Sequence, residues 1–306
     1  MDKQNERVHR KIQIGVLRYI MKKNIILFFI FGFFLVIFAL RLADSFILRT
    51  DQGPIGELFT HKLAGIVLLV ATISFLHLKW VDIGFNHRDL FRGILTGIAV
   101  GGCVFLIAYN IEIIIAITQG KSPSLQFYVT SYNVTGNNAL ETNTLFILIC
   151  IAGNTINVIM ENGIFSGLFI TMGEKRFSFV KANLLSSLLF GLWHMVMPLR
   201  NYIDGSQSLM DMIITMLLFF WTTFLFSCQL GMQFKQASSL WDGMTVHFIN
   251  NTSVNMFHVV YFNAGTGAGV ESSPVLRITI AQTIMFAIIT VRWFLSLRPK
   301  SRNLPY

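Results

Sequence analysis

Eight stretches of this sequence are apolar over roughly the length that a helix needs to cross a bilayer, and little is left over to fold as anything else. A helix spans the hydrocarbon with about 20 mostly apolar residues. The runs lie at 25–40, 63–78, 93–118, 145–172, 182–199, 210–229, 238–262 and 278–297. Within them apolar residues are continuous instead of alternating, which excludes the pattern of a transmembrane β-barrel. No unit of 20 to 50 residues repeats along the chain. The expected fold is all-α: a polytopic helical membrane protein of about eight transmembrane helices. It forms one domain at 25–297, between a basic arm at 1–24 and a tail at 298–306.

Composition agrees with this plan. The 306 residues are 54% hydrophobic and 13% charged, with 29 Phe, a mixture that excludes a pair of soluble domains, a disordered chain and a collagen-like one. A net charge of +9 would suit a nucleic-acid partner, but cytoplasmic enrichment of Lys and Arg in membrane proteins accounts for it, and no nucleic-acid binding is expected. With the N-terminus inside and eight crossings, the inner segments hold seventeen basic residues. Seven lie in the first 24 residues, three each at 79–92, 175–181 and 298–302, and the last is Lys235. The outer loops hold six: Arg41, Arg49, Lys62, Lys121, Arg200 and Arg277. Both termini are therefore expected in the cytoplasm. The triplet beginning at Asn133 is a formal glycosylation acceptor and carries no weight. Cys103, Cys150 and Cys228 fall inside apolar runs and read as buried small hydrophobes.

Ionisable and amide side chains inside spans are costly, so each needs a partner, a water-filled cavity or a function. The fourth run carries Asn154, Asn157, Glu161 and Asn162, the fifth His194, and the seventh Asp242, His247, Asn250, Asn251, Asn255 and His258. Spacings of three and four residues put Asn154, Asn157 and Glu161 on one face, and His247 and Asn251 on another. Counted from the inner loops at about 1.5 Å per residue, Glu161, His194 and His247 share a level roughly 18–20 Å deep. A carboxylate and two imidazoles on three helices at one depth predict a polar chamber. Asp242 and His258, nearer their helix ends, are expected to be structural, and Glu112 to be solvated at the outer end of its span.

Such a set supports two chemistries. A carboxylate can take a proton from water while imidazole and amide groups orient that water and stabilise an oxyanion. Alternatively Glu161, His194 and His247 match a three-ligand catalytic set for a divalent metal such as zinc. Neither His-Glu-x-x-His nor Gly-x-Ser-x-Gly is present.

The order of these groups resembles the CPBP intramembrane proteases, which include the type II CAAX prenyl protease and bacterial proteins linked to bacteriocin processing or self-immunity. Motif one of that family, Glu-Glu-x-x-x-Arg-Gly, corresponds to Glu161-Asn162-Gly163-Ile164-Phe165-Ser166-Gly167; motif two, Phe-x-x-x-His, to Phe190 through His194; motif three, His-x-x-x-Asn, to His247 through Asn251. The resemblance implies an intramembrane endopeptidase acting on a membrane-associated peptide or protein. Glu161 would activate water with help from His194, and His247 and Asn251 would form the oxyanion site. Two departures stand out. Asn162 replaces the second Glu and Ser166 replaces the Arg, so a catalytically impaired relative serving as a scaffold or self-immunity factor is the alternative. A transporter with a polar path is a third reading, against which stands the lack of an inverted repeat.

Overall fold

The computed structural model describes residues 24–52, 58–130, 142–262, 269–272 and 274–296. The basic arm, the C-terminal tail and Asn133 lie outside the described residues. Eight helices follow in chain order, each overlapping one of the eight apolar runs: α1 Asn24–Leu48, α2 Thr60–Phe75, α3 Leu90–Thr118, α4 Thr144–Glu174, α5 Phe179–Ile203, α6 Leu209–Ala237, α7 Trp241–Met256 and α8 Val275–Ser296. Helix is the only local structure that satisfies every backbone amide of a lipid-embedded segment internally. Among the described residues six of these helices are long and apolar enough to cross a membrane, and the protein is an integral membrane protein. The other two, α2 and α7, have 16 residues each, about 24 Å of helix.

The run at 238–262 is not one span. Helix α7 stops at Met256 and the chain continues as strand β2, Phe257–Phe262, which pairs antiparallel with β1, Ser122–Phe127, and with β3, Gly269–Glu271. This small sheet joins the ends of α3 and α7 to the start of α8. Tyr109 ties it down by donating from its hydroxyl to the carbonyls of Ser253, 3.0 Å away, and Phe257, 2.9 Å away. His258 is structural: its ring stacks on Tyr128 at 3.9 Å, and Nε2 lies 3.0 Å from the Tyr128 carbonyl.

Packing between α3 and α7 is set by Gly93, Gly97 and Gly101, one turn apart on α3. A Cβ at Gly93 would lie 2.5 Å from the Trp241 Cβ, and one at Gly97 would lie 2.5 Å from the Thr245 Cβ. Only hydrogen at those positions lets the two backbones approach so closely, which is how helices gain van der Waals contact in lipid. Gly191 of α5 does the same against Phe220 of α6.

Four of the six basic residues expected in outer loops are buried in helices instead. Arg41, Lys62, Arg200 and Arg277 are each no more than 8% exposed. Arg200 pairs with Asp51 at 2.8 Å and with Asp204 at 3.3 Å. Glu112 is likewise not solvated. It is 1% exposed and accepts from Arg277 at 2.9 Å and from the Ser272 hydroxyl at 2.5 Å. A carboxylate at that depth is tolerable because a buried guanidinium reaches it from α8. Cys150 and Cys228 are buried as expected, whereas Cys103 is exposed on α3.

Candidate active site

Two irregularities place the chemistry-bearing side chains. Helix α4 widens into a π-helical segment, Asn162–Phe169, immediately after Glu161. The Ser186 hydroxyl donates to the Phe165 carbonyl at 2.6 Å, supplying a partner within the widened turn. Such segments insert an extra residue and re-aim neighbouring side chains. In α5, Pro198 has no N–H for the carbonyl of His194, four residues earlier, and its ring pushes against that turn. The regular helix accordingly ends at His194 and resumes at Val196.

Glu161 is 3% exposed and its carboxylate is held by named donors. Trp193 Nε1 donates to Oε1 at 3.0 Å, and Asn157 Nδ2, one turn earlier on α4, donates to Oε2 at 3.2 Å. His247 Nε2 lies 3.6 Å from the same Oε2. The other imidazole nitrogen, Nδ1, donates to Asn162 Oδ1 at 2.7 Å. One imidazole thus faces both adjacent residues of motif one. Phe226, at 5.0 Å and edge-on, and Phe190, at 6.3 Å, wall the ring in.

His194 donates from Nδ1 to the Phe190 carbonyl at 2.9 Å, which fixes the tautomer and leaves the lone pair on Nε2. Asn251 lies one turn beyond His247 and accepts from the Asn250 amide at 3.2 Å. A cavity of about 520 Å³ runs beside these groups, with His194, His247, Asn251, Asn154 and Asn157 on its wall, together with Lys62. Glu161 is not on that wall; it sits behind it, next to His247 and Asn157. The structure therefore brings Glu161 to His247 and puts His194, His247 and Asn251 on one cavity.

The equal-depth count needs correction for His247. Lys235 belongs to α6, and His247 is only the seventh residue of α7. The groups still meet because the start of α7 is anchored on the connection between α2 and α3, where Leu240 N–H donates to the Gly84 carbonyl at 2.9 Å and Trp241 Nε1 to the Asn86 carbonyl at 2.9 Å.

Among the described residues no three His, Cys, Asp or Glu side chains are grouped as a metal ion would need. No step below is routed through one.

Residues 143–253 match the family described as Rce1-like, type II CAAX prenyl endopeptidase. That interval contains Glu161, His194, His247 and Asn251 and all three motifs. This segment is similar to that family over the matched residues. No curated protein matches the chain. The matched segment runs from the N-cap of α4, where Asn143 accepts from Leu145 N–H at 2.9 Å, to the last turn of α7. Helices α1 and α2, outside the match, bring groups to its acid that sequence reading missed. Arg41 stacks over the Trp193 ring at 4.5 Å, and His61, bonded through Nδ1 to Asp44 at 2.7 Å, sits 5.5 Å from the same ring. The available signal was a cation at each of these two helices beside an apolar run, read as loop charge.

Proposed function

We propose that the protein is an intramembrane endopeptidase in which Glu161 takes a proton from water. The resulting hydroxide adds to a peptide carbonyl, and Glu161 passes the proton to the departing amine. His194 Nε2 orients the water. His247 and the Asn251 amide form the oxyanion site. The observation that carries this reading is the 3.6 Å approach of His247 Nε2 to a carboxylate already fixed by two N–H donors. That is the pre-organisation that such catalysis needs.

The cavity supports a membrane-associated peptide as substrate. Its wall includes Leu218, Phe219, Val275 and Thr279, which are exposed on the outer faces of α6 and α8, so it opens sideways between those helices. Asn154, Asn157, Asn250, Asn251, Asn255 and Gln282 supply carboxamides inside it. Each both donates and accepts, which suits the free N–H and C=O groups of an unwound backbone. The cavity occupies the half of the bundle nearer the sheet. With both termini cytoplasmic, as the basic residues favour, it opens in the outer half of a bacterial cell membrane.

The rival reading, a catalytically impaired scaffold, draws on Asn162 and Ser166. Purified protein in detergent, offered a library of membrane peptides beside its Glu161→Ala form, separates the two. Cleavage by the wild type alone supports the peptidase, and background cleavage by both supports the scaffold.

A further inference from the structure

We infer that Arg41 and Trp193 together position the Glu161 carboxylate, Trp193 by bonding it and Arg41 by acting through the Trp193 ring. The inference rests on the peptidase reading of Glu161 and adds positioning residues from outside the matched segment.

Trp193 is fully buried and its indole N–H makes the 3.0 Å bond to Oε1. The ring is clamped from several sides. The Arg41 guanidinium lies over it at 4.5 Å, His61 approaches at 5.5 Å, and Phe165, the neighbour of Ser166, meets it at 5.9 Å. His61 cannot swing away, because Asp44 accepts from both its backbone N–H, at 2.9 Å, and its Nδ1, at 2.7 Å, while Thr50 Oγ1 donates to the other Asp44 oxygen at 2.7 Å. Arg41, Asp44 and His61 are each 7% exposed or less. A cation over an indole face draws electron density from the ring and makes its N–H a stronger donor. Arg41 also lies within direct electrostatic reach of Glu161. A guanidinium on α1 thereby acts on the acid of α4 through an indole of α5. The motif departure at Ser166 leaves the acid held.

The test uses the full-length protein in detergent with ¹⁵N-labelled tryptophan. The Trp193 indole N–H signal is identified by its loss in Trp193→Phe. It is expected to shift in Glu161→Gln and in Arg41→Gln, with Arg41→Lys closer to wild type. With the best-cleaved library peptide, Trp193→Phe and Arg41→Gln are expected to lower kcat on the order of 10²-fold and to leave KM within about twofold. An indole signal unmoved by Glu161→Gln or Arg41→Gln overturns the inference, as does wild-type kcat in both variants. Absence of cleavage by the wild type with the indole shifts intact would overturn the peptidase reading and leave this arrangement standing.

Discussion

Adding one methyl group to α3 should disable a site that lies on the opposite face of α7. A Cβ at Gly97 would stand 2.5 Å from the Thr245 Cβ and 2.8 Å from the Asp242 carbonyl oxygen. Ordinary contact begins near 3.4 Å, and a backbone oxygen cannot rotate away, so Gly97→Ala must push α7 outward by about 1 Å. His247 is two residues beyond Thr245. That displacement drives the imidazole into Asn162 and Glu161, where a 2.7 Å bond and a 3.6 Å approach leave no room for it, so the ring must leave its present position. The overpacking costs about 1–3 kcal/mol of stability, and a 1 Å misplacement of a reacting group costs on the order of 10²-fold in rate. Gly102→Ala on the same helix is the control, since a Cβ there meets nothing within 4 Å. Thermal denaturation in detergent and peptide cleavage are measured for both. If Gly97→Ala behaves like Gly102→Ala in the two assays, the close packing of α3 on α7 does not set the position of His247 and the reasoning fails.

Arg277→Met strands Glu112 in the bundle and should destabilise the protein by about 3–5 kcal/mol, read by denaturant unfolding in detergent; the double variant with Glu112→Gln should recover most of that loss. Pro198→Ala returns a backbone N–H to the His194 carbonyl and straightens α5. Cleavage should fall on the order of 10²-fold with no loss of thermal stability. Asn162→Leu leaves the His247 Nδ1–H without an acceptor and should destabilise the protein by about 1–3 kcal/mol, read by calorimetry.

All eight helices were legible because lipid imposes one requirement, length of apolar chain, on each of them. The sheet was not. Phe257–Phe262 is as apolar as the helix before it, and β2 is buried through its middle residues, so hydropathy carries the run past Met256 without a break. Glu161, His194 and His247 could be found because polar residues at helical spacing stand out against an apolar background. Their partners could not be found that way. Trp193 is an apolar residue by composition, yet its single N–H bonds the acid. Arg41 and Lys62 sit close to predicted span ends, where charge ordinarily signals a loop, whereas α1 continues to Leu48 and carries Arg41 inward. Glu112 was misjudged for the same reason: its partner Arg277 comes from 165 residues away, a pairing that no local pattern encodes.

The central claim is that a carboxylate behind the wall of a membrane cavity drives water onto a peptide bond. Cleavage of a membrane peptide in ¹⁸O-labelled water, followed by mass spectrometry of the new C-terminus, tests it most directly. One labelled oxygen should enter the product carboxyl with the wild type, and no product should form with Glu161→Gln. Labelled product from Glu161→Gln at the wild-type rate would contradict the account.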